Sequence, residues 1–461
     1  MKVSDKDKQL VIAQKDIYIS QTEQMLSDTN TYLKINRNPL PKMTQSTVEF
    51  VNKLSKKYEW MKEQLMPYFR RTPELYTTWK THKNTVPPPM RPVVSQVDTP
   101  YERIAHFTSY ILNQAMNLVK TNVRNTEEIK TICERELTGK IDRTHILFTA
   151  DVTSLYTNVP VRHGLKVIMD FLNDNIENID MHGVQTDDFE SMLDLVVSSS
   201  YFRFNNDWYQ QIDGLGMGVK PAPPFAIIYV YCTVELPLLW SNYKYAKNLP
   251  SVPQDIPKVL VWQRYVDDVF GLTIGDDNTV NTLFKYINTI NSNIKFTVES
   301  SKMSIPFLDI NIYLNIEEKK LDFGLYVKPS SKDMFLNYNS SHPKRVILNV
   351  AQNEIQRAIL NSSNQKYEKE SVERIREKLK RNDYPSDVIE KLIRNTRQKL
   401  TQKVIEPPTE SKAIHKKYYL VVPYIDEATS RKVYYALRKA NLMDTTRVTF
   451  KTDKTLKEKS S

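Results

Sequence analysis

The sequence is poor in cysteine and in long apolar runs, and each scarcity excludes a class of protein. Cys133 and Cys232 are the only cysteines among 461 residues. They are too few for a cysteine-rich zinc site or a disulfide framework, which indicates a reducing compartment. We see no run of about 18 apolar residues and therefore expect no membrane span. Residues 1–8 also lack the apolar core of a secretion signal.

Glycine is scarce as well, with nine residues in the chain, and three of these lie in residues 214–218. A glycine-rich turn allows another backbone or a nucleotide to approach closely. The spacing does not match the glycine pattern of dinucleotide-binding folds. The apolar residues that follow predict a helix that forms the floor of a cleft.

Positive charge is concentrated at the C-terminal end. The chain carries a net charge of +11, and residues 361–461 alone hold 24 Lys and Arg against 14 Asp and Glu, a net charge of +10. A localised basic region is what binding to a phosphate backbone requires. An ordinary solvated helical face is the alternative, and we favour nucleic acid as the partner.

The most informative stretch is residues 259–274, where two adjacent carboxylates interrupt an apolar segment. β-Branched and aromatic residues flank Asp267 and Asp268, a pattern that predicts a β-hairpin with the acidic pair at its turn. Adjacent negative charges repel unless a cation lies between them, and carboxylate oxygens suit Mg²⁺. On this stretch alone, a solvated Asp-Asp turn is the commoner explanation. Residues 275–278 form a second acidic turn that no strand follows, and we interpret it as a decoy loop.

A third carboxylate lies at the end of a predicted strand. Asp151 follows the apolar residues 146–150, and a turn then leads to a predicted helix after Pro160. Strand ends are where α/β folds present reactive groups. Together with Asp267 and Asp268, Asp151 would complete a site for two metal ions about 3.5–4 Å apart, which can stabilise in-line phosphoryl transfer.

The remaining segments predict a mixture of helices and strands. Residues 46–65 have apolar positions at helical spacing, with Ser46 and Glu49 as a capping box. Lys80 and Arg91 flank a proline-rich loop and could clamp a triphosphate, although a basic surface loop is the commoner explanation. Further along the chain we predict a hairpin within residues 309–329, amphipathic helices around residues 372–379 and 388–393, a linker at Pro407-Pro408, and a small basic α/β appendage at residues 418–451.

The order of three motifs along the chain resembles that of the palm of reverse transcriptases: Asp151, then the glycine-rich turn, then the Asp267–Asp268 hairpin. The finer matches resemble Penelope-like retroelements, which are related to telomerase catalytic subunits. The family's Asp-x-x-Ser-Leu-[Phe/Tyr]-Thr-Asn-Val-Pro is unbroken at residues 151–160, and its Met-Gly-x-Lys-x-Ala-Pro lies at residues 217–223. Further matches are Leu75-Tyr76 with residues 79–83, residues 91–93, residues 307–310, and Lys328-Pro329 with residues 340–343. The resemblance covers roughly residues 5–460, and the combined motifs are highly specific.

The resemblance implies a role for each motif. Asp151, Asp267 and Asp268 would bind two catalytic Mg²⁺ ions, or Mn²⁺ in their place. Tyr156 would be the steric gate that rejects a ribose 2′-OH and selects dNTPs. The other residues implied to bind the incoming dNTP are Lys80, Arg91, Val152, Gly218 and Lys220. Those implied to form the primer grip and contact the template are Phe307, Leu308, Asp309, Lys328 and His342.

The implied fold class is α+β, with an α/β palm: a right-hand polymerase with fingers, an antiparallel-sheet palm and a helical thumb. The order of the motifs fits a split β-α-β palm. The partners would be an RNA template, a DNA primer and dNTP, with no membrane. We assign residues 1–145 to an N-terminal helical region and fingers, 146–343 to the palm with an interleaved fingers segment at about 161–212, 344–404 to the thumb, and 405–461 to a basic appendage.

The implied reaction is RNA-directed DNA polymerisation, in which a primer 3′-OH attacks the α-phosphate of a dNTP and releases pyrophosphate. The family's usual Pro is replaced by Trp79, and its Asn after the Ala226 position is missing, but neither departure removes a catalytic group. No GIY-YIG endonuclease motif is present, so we expect an endonuclease-lacking member or a truncated reading frame. The retroelement interpretation also predicts nuclear localisation.

Two other functions stay open. One is a catalytically silent relative that binds RNA or has a structural role. The other is an RNA-dependent RNA polymerase, against which Tyr156 argues because a small residue would be expected there.

Overall fold

The computed structural model describes residues 2–5, 10–68, 70–81, 85–240, 252–328, 335–405 and 418–451. The chain divides into two compact units. The larger unit comprises Val3–Leu308 and Tyr313–Leu321, and the smaller comprises Met1–Lys2, Asp309–Ile312 and Asp322–Ser461. The predicted linker at Pro407-Pro408 lies outside the described residues.

The larger unit begins with helices that alternate with short strands. The first elements of the chain are β1 (Lys2–Val3), which the division between the units crosses, β2 (Leu10–Val11), α1 (Lys15–Leu26), β3 (Tyr32–Ile35), α2 (Leu40–Ser55), α3 (Trp60–Leu65), β4 (Glu74–Trp79), β5 (Met90–Ser95), α4 (Glu102–Met116) and α5 (Thr126–Leu137). The single helix predicted over residues 46–65 is therefore two helices. Ser46 lies inside α2, where its Oγ donates to the carbonyl oxygen of Met43 (3.0 Å). The predicted capping box is wrong because the helix begins six residues earlier, next to Pro39 and Pro41.

The middle of the chain contains the predicted motifs. Its elements are β6 (His145–Val152), α6 (Leu155–Asn158), α7 (Val161–Asp174), a 3₁₀ turn (Ile176–Asn178), α8 (Thr186–Ser198), β7 (Tyr201–Phe204), β8 (Asp207–Gln211), α9 (Ala222–Val230), a π-helical turn (Tyr231–Glu235), α10 (Leu236–Leu239), β9 (Val259–Tyr265), β10 (Asp268–Ile274), α11 (Asp277–Ile290), β11 (Phe296–Ser301) and β12 (Ser304–Phe307). The strand before Asp151 and the hairpin at Asp267–Asp268 are thus confirmed.

A four-stranded antiparallel sheet, in the order β11-β6-β10-β9, forms the centre of the larger unit. Strand β6 is buried over most of its length because its residues are apolar on both faces. The ring of Phe284 on α11 lies 5.3 Å from Phe148 of β6 and 6.0 Å from Trp262 of β9, measured between centroids. This aromatic packing fixes the helix on the sheet, and the sheet carries the acidic residues at one end.

A second sheet has five strands in the order β3-β8-β7-β4-β5. All neighbouring strands are antiparallel except β4 and β7, which pair in parallel through Glu74 and Arg203. Strands from residues 32–95 therefore share one sheet with strands from residues 201–211. This sheet holds the predicted triphosphate-binding residues Lys80 and Arg91 at its β4–β5 edge.

Residues Ala222–Leu239 form one continuous buried helical segment that includes the π-helical turn. With a mean hydropathy of 1.4 over 18 residues, the segment is long and apolar enough to cross a membrane by length and composition. The expectation that no such run exists is therefore wrong. Because 78% of the segment is buried inside the fold, it has the properties of a core helix and is only weak evidence for a membrane span.

The smaller unit is built mainly from helices. Its elements, together with the two strands at its boundary with the larger unit, are β13 (Ile310–Asn315), β14 (Lys320–Leu325), α12 (Lys344–Leu360), α13 (Gln365–Lys380), α14 (Ser386–Ile405), β15 (Tyr418–Pro423), α15 (Glu427–Lys439) and β16 (Thr446–Lys451). Ile347, Ile355, Ile375 and Ile389 belong to the buried core that α12, α13 and α14 share. The predicted α+β fold class, with a mainly antiparallel sheet and a helical C-terminal region, is confirmed.

Candidate active site

The backbone register brings the three predicted catalytic carboxylates to one end of the central sheet. Asp268 at the start of β10 pairs directly with Asp151 near the end of β6. Directly paired residues of antiparallel strands have Cα atoms about 4.5–5.5 Å apart. Asp267 lies in the adjoining turn, where its carbonyl oxygen accepts a hydrogen bond from the N–H of Val152 (2.9 Å). Asp151 and Asp268 are exposed and Asp267 is half-buried.

The chemistry of these donors fits Mg²⁺, because three carboxylates on adjacent backbone segments supply hard oxygen ligands. Within the described ranges, no group of three His, Cys, Asp or Glu side chains is already arranged to hold a metal ion. The two Mg²⁺ ions therefore stay a prediction.

The hairpin turn that carries Asp267 has a strained backbone. Strands β9 and β10 pair up to Tyr265 and Asp268, which leaves Val266 and Asp267 as a two-residue turn. Val266 has a φ of 57°, in the left-handed region that β-branched residues avoid. Such a conformation costs about 1–3 kcal/mol and persists only where the surroundings impose it.

Tyr156 lies in the turn that follows Asp151, close to both Asp267 and Arg91. Ser154, with a φ of 50°, turns the chain into the short helix α6, which positions Tyr156. The pKa of the Tyr156 hydroxyl is raised, first by burial and then by the negative charge of Asp267, while the positive charge of Arg91 lowers it. The predicted gate residue thus lies within electrostatic reach of a predicted metal ligand and of a predicted triphosphate ligand.

The glycine-rich turn packs between these parts of the site. A Cβ atom on Gly214 would lie 2.5 Å from the carbonyl oxygen of Thr157, and one on Gly218 would lie 2.2 Å from that of Val94. Both glycines have positive φ angles, of 72° and 107°. The N–H of Val94 also donates to the carbonyl of Met217 (2.8 Å). The predicted close backbone approach is confirmed, and the approaching backbones belong to the Tyr156 turn and to β5.

The β4–β5 hairpin brings Arg91 and Lys80 together, because Arg91 pairs with Thr78 and the N–H of Lys80 donates to the carbonyl of Pro89. In this structure Arg91 Nη1 donates to Asp5 Oδ1 (3.0 Å). The side chain of Arg91 is 35% exposed and that of Asp5 is 9% exposed. No pattern in the first residues of the sequence predicts this partner. His82 and Lys83 of the same predicted motif lie outside the described residues.

The two other predicted dNTP-binding residues differ in exposure. The side chain of Val152 is buried in the core, and its N–H is bonded to Asp267, so its position is fixed by the fold. Lys220 is exposed, and its carbonyl accepts from Ser109 Oγ of α4 (3.2 Å).

The predicted primer-grip residues are divided between the two units. In the larger unit, Phe307 is buried and its ring lies 5.7 Å from that of Phe270, while Leu308 has a φ of 51°. In the smaller unit, Asp309 forms an ion pair with Arg357 of α12 (2.8 Å). There too, Ser340 Oγ and Nδ1 of His342 are hydrogen-bonded (2.6 Å), and Lys328 is exposed. Pro329 lies outside the described residues.

The second acidic turn has a structural role. Asp276 is the N-cap of α11: its carboxylate accepts from the N–H of Thr279 (3.0 Å), and Thr279 Oγ1 accepts from the N–H of Asp276 (3.1 Å). No strand follows, as predicted.

A family model described as "Animal helix-turn-helix domain" matches residues 334–394, a range that includes α12, α13 and the first part of α14. No curated protein matches the sequence.

The chain is also similar to solved structures of telomerases and of an RNA-dependent RNA polymerase. The apo telomerase of Candida tropicalis, truncated from its C-terminal domain, is 9% identical, with a TM-score of 0.43, over 66% of this chain and 60% of that chain. The telomerase of Candida albicans in complex with a TWJ fragment of telomeric RNA is 10% identical (TM-score 0.46; 87% and 69%). The RNA-dependent RNA polymerase of BmCPV at quiescent state is 10% identical (TM-score 0.40; 69% and 28%). The chain thus spans 60% of the truncated telomerase, and likenesses at this level assign no activity on their own.

Proposed function

We propose that this chain is a template-directed nucleic-acid polymerase of the right-hand type, and specifically an RNA-directed DNA polymerase of a Penelope-like retroelement. The observation that carries the proposal is the convergence of separately encoded groups on one sheet end. Asp151 pairs with Asp268 in the register, and Asp267 and Arg91 both act electrostatically on Tyr156. A solvated Asp-Asp turn with no function would not require these neighbours.

In this proposal Asp151, Asp267 and Asp268 hold two Mg²⁺ ions, or Mn²⁺, beside the primer terminus. Metal ions bound there stabilise the attacking and leaving oxygens of a phosphoryl displacement. The protein's own contribution is to fix the three carboxylates through the paired backbones of β6 and β10.

Tyr156 selects the sugar in this proposal. Its ring is half-buried and packs against the core, and its carbonyl is fixed by the N–H of Leu215 (2.7 Å). A ring held in this way excludes a ribose 2′-OH by occupying its space. The phenol is neutral near pH 7 and burial raises its pKa further, so it adds no negative charge near the triphosphate.

Arg91 and Lys80 bind the triphosphate from the β4–β5 edge. A guanidinium group matches phosphate oxygens with two parallel hydrogen bonds. The carboxylate of Asp5 now gives Arg91 an anionic partner, so a bound triphosphate would replace Asp5 at this position.

The helices α12–α14 act as the thumb and bind the template–primer duplex, which makes RNA template and DNA primer the partners. The family match over residues 334–394 is to a domain named for its helix-turn-helix, a motif that other proteins use to bind DNA. Nuclear localisation completes the proposal.

The test is primer extension by the purified full chain on an RNA template, with Mg²⁺ or Mn²⁺ and with dNTPs or rNTPs. We expect dNTP incorporation that disappears in Asp267→Ala/Asp268→Ala, and the matched control is Asp276→Ala/Asp277→Ala in the second acidic turn. Incorporation of rNTPs in preference to dNTPs would instead identify an RNA-dependent RNA polymerase. No incorporation with either metal, together with salt-sensitive binding of an RNA–DNA duplex, would identify a silent nucleic-acid-binding protein.

A further inference from the structure

A completely buried ion pair lies beneath the turn that carries Asp267 and Asp268. The side chains of Arg264 and Glu235 are both 0% exposed. Arg264 Nε donates to Glu235 Oε1 (2.6 Å), and Nη2 donates to Oε2 (3.0 Å). The contact is therefore bidentate, which fixes the plane of the guanidinium group.

The remaining donors of Arg264 connect the turn to the core helix. Nη1 donates to the carbonyl oxygen of Val266 (2.9 Å), and Nη2 also donates to that of Ile227 in α9 (2.9 Å). Val266 is the residue with the left-handed φ of 57°. One side chain thus bonds the carbonyl of the strained residue immediately before Asp267.

Glu235 is held as firmly as its partner. Its carboxylate also accepts from Trp262 Nε1 (2.9 Å) and from Thr121 Oγ1. The main chain of Arg264 is fixed as well, because its N–H donates to the carbonyl of Thr121 (2.7 Å) and its own carbonyl accepts from Val123 (2.9 Å). The pair is connected to three separate segments, so it has little freedom to rearrange.

The backbone around Glu235 is also unusual. Glu235 is the last residue of the π-helical turn Tyr231–Glu235 within the core helix. A π-turn inserts an extra residue into a helix and changes the direction of the following side chains, and such turns are frequent at functional sites. Here the turn ends where Glu235 meets Arg264.

Stability alone does not explain such a pair. Buried ion pairs are often no more stabilising than apolar residues of the same volume, because both charges lose their hydration. What this pair supplies, and apolar residues cannot, is a donor directed at the carbonyl of Val266.

We propose that Arg264 and Glu235 are positioning residues: they hold the Val266–Asp267 turn in its left-handed conformation and thereby fix the direction of the Asp267 and Asp268 carboxylates. The effect on catalysis rests on the proposed polymerase function, whereas the effect on the order of the turn does not. If the pair had only a packing role, replacing it with residues of similar volume would change neither catalysis nor the order of the turn.

The test is the double variant Arg264→Met/Glu235→Gln in the full chain. Methionine approximates the volume of the arginine without its donors. The amide oxygen of glutamine can still accept from Trp262, and its NH2 group can donate to the hydroxyl of Thr121. We expect a melting temperature near that of the wild type and faster amide hydrogen exchange in residues 265–269. We also expect kcat to fall on the order of 10²-fold, as for a small misplacement of catalytic groups, with KM for dNTP little changed. The matched control is Lys34→Met/Asp207→Leu, an ion pair of the same unit with side chains 58% and 40% exposed.

The outcomes separate the possibilities. A stable double variant with unchanged exchange in residues 265–269 and unchanged kcat would overturn the proposal. If the double variant unfolds, Arg264→Lys decides, because it keeps the charge and loses the planar fork. A folded lysine variant with reduced kcat supports positioning, and one with full kcat overturns it. If the wild-type chain incorporates no nucleotide, the polymerase proposal fails, and the hydrogen-exchange comparison still decides the role of the pair in the turn.

Discussion

The chain contains two Asp-Asp turns only nine residues apart, and they serve different purposes. Asp267 shares a two-residue hairpin turn with Val266, whose backbone is strained, and Asp268 begins the next strand. Asp276 and Asp277 begin helix α11, and Asp276 closes a reciprocal capping box with Thr279. Each dipeptide has the same composition, so the difference must come from its surroundings.

The difference lies in how each turn is connected. In the second turn, Asp276 caps the helix that it begins by accepting from Thr279, and Asp277 accepts from Ser300 Oγ on β11 (2.5 Å). The first turn is connected to carboxylates from elsewhere in the chain: Asp151 of β6 lies opposite it in the sheet, and Arg264, which donates to the carbonyl of Val266, is held by Glu235 of the core helix. A local motif becomes a candidate site only when the fold brings remote groups to it.

The largest expected contrast is in activity. Asp267→Asn/Asp268→Asn should reduce dNTP incorporation on the order of 10⁴-fold, as removal of a catalytic group does, because the carboxylates proposed to bind the metal lose their charge. Asp276→Asn/Asp277→Asn should leave it almost unchanged. Single-turnover primer extension measures both. Equal losses in the two variants would show that the turns do not differ in function.

A smaller contrast concerns sugar selection. Tyr156→Ala should lower the preference for dNTP over rNTP on the order of 10- to 100-fold, because it removes the ring that is proposed to occupy the space of a ribose 2′-OH. Tyr286→Ala on α11, the helix that the second turn begins, is the control and should leave the preference unchanged. The ratio of kcat/KM values for the two nucleotides is the measurement. If Tyr156→Ala kept the wild-type preference for dNTP over rNTP, the steric gate would have to be another residue.

Backbone strain gives a third contrast, this time in stability. At the second turn, Gly275 has a φ of 141°, and a Cβ there would lie 2.3 Å from Thr279 Oγ1. Gly275→Ala should therefore destabilise the fold by about 1–3 kcal/mol. Val266→Gly should have a smaller effect, because the relief of strain offsets the greater freedom of the unfolded chain. Urea unfolding measures both variants, and a larger loss from Val266→Gly would contradict the assignment of strain.

The smallest expected effect depends on pH. Hydrogen bonds from Thr279 lower the pKa of Asp276 below its ordinary 3.8. A carboxylate with a lowered folded-state pKa adds stability above its unfolded-state pKa and loses it as pH falls through the folded-state value. Asp276→Asn retains a cap that does not titrate. Between pH 6 and 3, the free energy of unfolding of this variant should therefore fall less than that of the wild type, as measured by urea unfolding at each pH. Parallel pH profiles of the two proteins would show that the Asp276 carboxylate contributes nothing.

The local part of this architecture could be predicted from the sequence. The strand before Asp151, the hairpin at Asp267 and the close approach at Gly218 depend on short apolar runs and on residue-specific backbone preferences, which short windows contain. The predicted capping box at Ser46 is wrong because Pro39 and Pro41 allow the helix to begin at Leu40, six residues before Ser46.

The long-range part could not be predicted in this way. Arg91 forms an ion pair with Asp5, which lies 86 residues away in the sequence, and Arg264 forms one with Glu235, which lies 29 residues away. No periodicity connects such partners, and a buried charge looks like an exposed one in a sequence. The parallel pairing of β4 with β7 is invisible for the same reason. These are contacts that only the assembled fold defines.

The sharing of one sheet by residues 32–95 and 201–211 also sets the order in which the protein can form during translation. At a synthesis rate of roughly 5–20 residues per second, the β4–β5 hairpin that carries Arg91 leaves the ribosome several seconds before β7 and β8 exist. During that interval β4 lacks its partner strand β7. The Asp267 hairpin is synthesised later still. Arg91, Tyr156 and Asp267 can meet only after β10 has been synthesised to residue 274, so no shorter nascent chain contains the complete site.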